Sequence, residues 1–371
     1  MQALDTRAEI DLKAISHNIK ELKSLTASGT RLLAAVKAEA YGHGLIPVAQ
    51  TAVSSGADML GVARIEEAIR LRDAGIEAPV LILGYTDPRF IKELVDYNLT
   101  QTVFSEHMAE EYARAVTAGE KQLSVHLKVD TGMGRLGFMH GLLNKEIVID
   151  RLRNFHVEGI FTHFSKADEK DKRFTKKQLN AFLDVITALE AHGIAPPIRH
   201  AANSASLIDM PESHMDMIRP GISIYGLYPS AEVHKGNVHL KPAMQIKSRI
   251  IQVKDVPEGY TVSYGGTWTA ERKTRIATVP IGYGDGFSRS LSSRGMMLVC
   301  GRRAPIAGRV CMDLTMLDVG HIPEAAMGSE IVVLGRQEKD EISADEIAET
   351  IGTINYEIVT AVTGRVPRVY R

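Results

Sequence analysis

The sequence predicts an α/β fold, an N-terminal (β/α)8 TIM barrel with a C-terminal all-β domain, and three observations carry that prediction. The 371 residues exceed one small domain, yet they suit a barrel of about 250 residues with one appendage. The first two-thirds repeat one pattern eight times, a short apolar run followed by a polar segment. From about residue 236 this rhythm gives way to β-branched runs broken by glycine and proline. The expected domains are therefore residues 1–235, the barrel, and 236–371, the β domain, with the first residues available to pair with the latter.

In chain order the strand candidates are LLAAVKA from Leu32, DMLGVA from Asp58, PVLILG from Pro79, TQTVF from Thr100, SVHLKVD from Ser124, VEGIFTHF from Val157, IRHAA from Ile198 and MIRPGISIYGL from Met217. Between them RIEEAIRLRDAG, SEHMAEEYARAVTAG and TKKQLNAFLDVITALEAHG carry apolar residues at helical spacing, with glycine at their ends. In the second part MQIKSRIIQVKDV, RIATVPIGYG, MMLVCGRRAPIAGRV, LTMLDVG and EIVVLG read as strands. One late helix, SADEIAETIG, opens with Ser343 as N-cap and Glu346 three residues on. No low-complexity linker separates the two parts.

Composition excludes several classes. Hydrophobic residues make up 44% and charged residues 24%, enough for a substantial core and against global disorder. Lys and Arg total 44 against 45 Asp and Glu, so no basic field exists to hold nucleic acid. Acids from Asp5 onward exclude an ordinary signal peptide, and no apolar run is long enough to span a bilayer, so a cytoplasmic location is expected. Cys300 and Cys311 match neither a zinc knuckle nor a redox pair. They either meet across a hairpin or remain free thiols, and no structural metal is expected.

The chemistry begins at AAVKAEAYGHG, where Lys37 ends an apolar run. Desolvating an amine is costly, so such a lysine either snorkels from the strand end or performs chemistry. In a barrel, functional groups gather at the C-terminal ends of strands. Lys37, Arg135, His163, Asn203 with Ser204, and Arg219 all fall there. GMGRLG, residues 132–137, satisfies a dinucleotide fingerprint, but it follows the fifth strand rather than the first and is not followed by a good first helical turn. A lysine at such a mouth can form a Schiff base with an aldehyde cofactor. Pyridoxal phosphate is one, and it acts as an electron sink for a carbanion at an amino acid's Cα. Ser204, the amides of Gly221 and Ile222 and a tyrosine hydroxyl are candidate phosphate donors.

Nine blocks, VKAEAYGHG, DTGMGRLG, THFSKADE, HAANSAS, IRPGISIYGL, VSYGG, PIGYGDG, GRVCMD and INYE with RVPR, stand in an order that resembles the fold-type III, pyridoxal-phosphate-dependent alanine racemases. The resemblance covers essentially the whole chain. It implies that Lys37 is the Schiff-base lysine and one base, with Tyr264 the base on the opposite face. Tyr41, Ser204, Gly221, Ile222 and Tyr356 would hold the phosphate, with Asn203 and His163 also at the cofactor. Arg219 would face the pyridine nitrogen, where an arginine cannot donate a full proton and so favours reprotonation of Cα over transamination. Arg135 and Met312 would meet the substrate, Lys128 matches a lysine carried by some members as a carbamate, and Asp168, Tyr283, Arg289 and Arg309 would line the access corridor. The resemblance further implies a homodimer in which Tyr264 and Met312 complete the partner's site, and interconversion of L- and D-alanine that supplies peptidoglycan.

Two positions depart from the family's pattern. Glu39 stands where the familiar block has asparagine, and in an extended strand residues 37, 39 and 41 would share a face. Gly364 stands where serine is common. The alternatives are a racemase of the same fold acting on serine or a broader set of amino acids, a decarboxylase on the same barrel, and a non-catalytic cofactor carrier.

Overall fold

The computed structural model describes residues 6–116, 122–139, 143 and 146–371. Two compact units emerge, one of Lys13–Ala40 with Leu45–Pro242, the other of residues 6–12, Tyr41–Gly44 and Ala243–Arg371. The division falls at 242/243, beyond the 235/236 expected. Lys241 is held to the first unit by Asn18, whose Oδ1 accepts from Lys241 N at 2.8 Å and whose Nδ2 donates to Lys241 O at 2.9 Å.

The first unit is a nearly closed parallel barrel. Its strands run Arg31–Ala35, Met59–Val62, Val80–Ile82, Thr100–Val103, Ser124–Asp130, His156–Phe161 and Ile198–His200, each pairing parallel with the next, and Met217–Ile218 returns to pair with Arg31–Ala35. Leu33, Met59, Leu81, Ile198 and Met217 form an interior layer, each at most 4% exposed. Each contributes roughly 1.5–3 kcal/mol by burial, and the layer makes the barrel a packed core rather than a pore. Helices follow the strands, including Ile65–Asp73, Glu106–Ala115 and Arg173–Ala191. Three residues of the run expected to be helical through 119, positions 117–119, lie outside the described residues. No helix among the described residues is long and apolar enough to cross a membrane.

Two expected strands end early: the run from Met217 is strand only to Ile218, where Pro220 lacks a ladder donor and Ile222–Tyr225 turns helical, and the run from Leu32 stops at Ala35. Arg31–Ala35 stops before Lys37, and Ala38 (φ 52°, ψ 57°), Glu39 (φ 54°, ψ 42°), Ala40 (φ 51°, ψ 54°) and Tyr41 (φ 52°) form a left-handed turn. Residues 37, 39 and 41 therefore do not share a strand face. Left-handed backbone costs a non-glycine residue roughly 1–2 kcal/mol, so periodicity and propensity give no hint of four in a row.

The second unit is a mixed β assembly. Its larger sheet runs Arg302–Pro305, Met296–Val299, Glu330–Gln337, Met244–Arg249, Arg7–Ile10 and Arg368–Tyr370. Arg7–Ile10 thus joins this sheet, antiparallel to Met244–Arg249 and parallel to Arg368–Tyr370. A three-stranded sheet, Gln252–Val256, Thr274–Val279 and Thr315–Asp318, packs Ile276 with Val256, Val262, Ala270 and Ala307. The hairpin 296–305 turns at Cys300 and Gly301, with φ of 50° and 68°, the paired positive angles of a tight two-residue turn. Ser343 caps the helix Ala344–Ile351, its hydroxyl accepting from Glu346 N at 3.0 Å. Both cysteines are free thiols.

Candidate active site

In the barrel unit, four cations gather at the strand ends. Lys37 follows the first strand, and its ammonium is pushed below the usual lysine value by burial first and by Arg135 second, with Glu67 opposing. Lys128, on Ser124–Asp130 and 4% exposed, is pushed down to about 8 by burial, then by Arg135, Arg219 and Lys37. Its Nζ sits 5.5 Å from the centre of the Phe161 ring. Burial lowers Arg219 to about 9, so its guanidinium stays charged near neutrality. Arg219 donates to the carbonyls of Thr162 (2.8 Å) and Ala201 (3.0 Å), and its Nη2 lies 3.5 Å from His163 Nδ1. Burial and then Arg219 hold the His163 imidazole well below its usual pKa, hence neutral.

Beside them, Ser204 Oγ accepts from Gly221 N at 2.9 Å and Ser223 N at 3.4 Å. Asn203 spends its carboxamide oxygen capping the helix Ser204–Asp209, accepting from Ala205 N and Ser206 N at 3.1 Å each. Ile222 opens the short helical turn Ile222–Tyr225 and is fully buried. Asp168 lies in the loop after His156–Phe161, its carbonyl accepting from Ser230 Oγ at 2.7 Å.

The glycine fingerprint resolves without a nucleotide. Asp130 Oδ1 accepts from Gly132 N (2.9 Å), Met133 N (2.9 Å) and Gly134 N (3.1 Å), so a carboxylate already holds the anion place of this loop and would repel a phosphate. A two-residue strand, Phe138–Met139, follows instead of a helix.

In the β unit, Tyr41 and Tyr356 bring their ring centroids within 6.2 Å. Tyr264, 68% exposed, stands on the turn Tyr264–Gly266, and Met312 is 53% exposed. Ser263, Tyr264, Gly265, Cys311, Met312, Asp313 and Leu314 line one shallow pocket. Ser263 Oγ donates to Arg309 O at 2.6 Å, and the Arg309 guanidinium flanks Gly265. Tyr283 N donates to Cys311 O at 3.0 Å and Gly284 N to Met312 O at 2.9 Å, tying the loop of Tyr283 to that of Met312. Arg365 spans both, 2.7 Å from Asp313 and 3.5 Å from Asp285. Arg289 is exposed on the turn Arg289–Leu291. Among the described residues no group of three or more His, Cys, Asp or Glu side chains is placed to hold a metal ion.

Reading the sequence missed Glu67, Arg70 and Arg365. Glu67 sits at the third position of its helix, where a carboxylate is ordinary capping chemistry. Only the tertiary structure shows that it also reaches the backbone after Lys37.

A parallel barrel with a desolvated lysine after its first strand, in a chain whose β unit carries an exposed tyrosine, has the architecture of the barrel enzymes, whose functional groups gather at the strand ends. Family models agree on the kind: residues 10–229 match the alanine racemase N-terminal domain and residues 243–370 the alanine racemase C-terminal domain. Among relatives, the alanine racemase of Desulfosudis oleivorans is 53% identical, covering 98% of this chain and 96% of that protein. The alanine racemase of Desulforamulus reducens is 48% identical, with 98% of each covered. Among solved structures, an alanine racemase of Clostridium difficile superposes with a TM-score of 0.94 at 37% identity, covering 100% of this chain and 97% of that one. That of Bacillus anthracis with bound L-Ala-P gives 0.94 at 38%, covering 100% and 96%. The chain belongs to the alanine racemase family, and it is an amino-acid racemase.

Proposed function

We propose that the protein interconverts L- and D-alanine with pyridoxal phosphate carried on Lys37, using Lys37 and Tyr264 as bases on opposite faces of Cα. The observation that carries this is the desolvated Lys37 amine among Arg135, Lys128 and Arg219, because lowering an amine's pKa makes its free form, both nucleophile and proton acceptor, easier to reach.

The residues present fit the cofactor. Ser204 Oγ already gathers the Gly221 and Ser223 amides, and the buried Ser223 hydroxyl makes no hydrogen bond among the described residues, a polar atom in want of an anion. The surrounding cations suit a phosphorylated, phenolic ligand. Bound there, pyridoxal phosphate would supply the electron sink that makes the Cα proton removable. We assign the phosphate to Ser204, Gly221 and Ile222 with the Tyr41 and Tyr356 hydroxyls, as the family resemblance implies, and place Asn203 and His163 at the ring. Arg219, buried and donor-only, would orient the ring nitrogen without giving up a full proton.

Arg135 and Met312 would hold the substrate carboxylate, and Asp168, Tyr283, Arg289 and Arg309 the approach to it. The exposure of Tyr264 and Met312 supports a homodimer in which each copy lends them to its partner. A cytoplasmic site of action, supplying D-alanine for peptidoglycan, completes the proposal. Lys128, with a pKa near 8, has enough free amine to combine with CO2, releasing a proton and leaving a carbamate between cations.

The test is Cα–H exchange in heavy water with added pyridoxal phosphate, using L-alanine and L-serine in parallel with chiral separation. Deuterated D-alanine as the dominant product is expected. Faster turnover of L-serine would move the substrate to the broader class, carbon dioxide would mark a decarboxylase, and no exchange would mark a carrier.

A further inference from the structure

Arg219 is a buried cation, and among the described residues none of its partners is a carboxylate; they are two carbonyls and two histidine rings. Burying a charge demands compensation, so its counter-charge lies elsewhere. The ring nitrogens point to where.

A guanidinium only donates. Arg219 Nη1 lies 3.0 Å from His200 Nδ1, so that nitrogen must accept, and a neutral His200 carries its proton on Nε2. His200 Nε2 lies 2.8 Å from His126 Nδ1, which must accept in turn, leaving the His126 proton on Nε2. His126 Nε2 faces Glu158 Oε2 at 3.7 Å, and Thr100 Oγ1 donates to that same oxygen at 3.1 Å. Both rings are fully buried. Burial first holds both imidazoles below their usual pKa, with the Arg219 charge a further cause.

Packing holds the line in place. Phe161 stacks on His200 at 4.8 Å and lies 5.2 Å beneath the Arg219 guanidinium. At Gly159 a β-carbon would sit 2.5–2.8 Å from atoms of the His126 ring, so the absence of a side chain there makes room for the relay.

We infer that Glu158 is the remote counter-charge of Arg219, facing across 3.7 Å the Nε2–H end of a one-way donor chain through His200 and His126, an end that makes no hydrogen bond among the described residues, and that these three are positioning residues for the guanidinium. That Arg219 serves catalysis rests on the function proposed above; the direction of the chain does not. Protonating either histidine would place two donors face to face and break the line, so the chain keeps the guanidinium oriented only while both rings are neutral.

The test is 15N NMR of histidine- and arginine-labelled protein, with and without pyridoxal phosphate, read alongside kinetics. Both rings are expected as neutral Nε2–H tautomers. Glu158→Gln, which keeps an acceptor but removes the charge, should move the His200 and Arg219 resonances and lower kcat by about two- to thirtyfold, the range of ordinary long-range coupling. His126→Gln, able to accept and donate, should retain more activity than His126→Leu at similar thermal stability. A proton on Nδ1 of either ring in the wild-type protein would overturn the chain, as would a Glu158→Gln variant with unchanged resonances and kcat. The wild-type tautomers are readable whatever reaction is catalysed, so failure of the heavy-water experiment would leave this result standing.

Discussion

Glu67 accepts the backbone amide of Ala38 on Oε1 at 2.6 Å, while its Oε2 accepts from Ala63 N at 2.7 Å and Arg64 N at 3.1 Å. One carboxylate therefore joins the left-handed turn after Lys37 to the end of the second barrel strand. Hydrogen bonds to a charged group are worth roughly 1.5–3 kcal/mol, enough to offset much of the strain of one or two left-handed residues. Glu67→Ala should cost about 2 kcal/mol in denaturant unfolding. Glu67 also raises the Lys37 pKa, so its removal should shift amine acylation of Lys37 in the cofactor-free protein to lower pH. A variant with unchanged stability and labelling would dismiss this role.

Three residues along the same helix, Arg70 binds Glu39 through Nη1, with Nη2 3.3 Å from the second oxygen. Both side chains are about half exposed, 51% and 50%, so the pair belongs with surface ion pairs worth roughly 0.2–1 kcal/mol. Glu39→Asn should lower stability within that range at low salt and by less at high salt. A loss that persists in high salt would indicate that Glu39 acts otherwise.

Lys128 predicts a pH effect. Its folded pKa of about 8 lies below the ordinary 10.5, so between those values the unfolded chain binds more protons and stability rises with pH. Across that window the gain is about 3 kcal/mol. Lys128→Met should flatten the rise, measured in CO2-free buffer. A variant with the wild-type slope would remove Lys128 as its source.

Tyr264→Phe keeps the ring and removes the titrating hydroxyl. Exchange should slow by at least tenfold from one alanine enantiomer and much less from the other, given the 10²–10⁴ typical of general acid–base groups. Equal slowing would argue against a base on one face.

Arg365 clamps Asp313 to Asp285 across two loops. Arg365→Ala should raise KM several-fold with a smaller change in kcat, because it disturbs the backbone beside Met312 rather than a reacting atom. A fall confined to kcat would place Arg365 nearer the chemistry.

All eight barrel strands were legible, because an apolar run between a turn and a helix has few other uses in a chain of this length. Lys37 was legible as an amine at the end of such a run. The Ser204–Gly221 bond, between residues 17 positions apart, was visible only as a suggestion of phosphate donors. Glu67, Arg70, Glu158 and His126 were not legible as site residues. Each looks ordinary in its own segment, and its significance arises from a neighbour on another strand or helix.

By itself the sequence determined the barrel, the β unit and the kinds of side chain at the strand ends, since alternation, helical spacing and residue chemistry are local properties. Only the tertiary structure decided that the chain turns left-handed after Lys37, that Asp130 fills the glycine loop, and that the line from Arg219 through His200 and His126 ends facing Glu158. The physical reason is the same in each case. Strain is tolerated, amides are satisfied and a buried charge is compensated by groups far away in the chain, and folding alone brings those groups together.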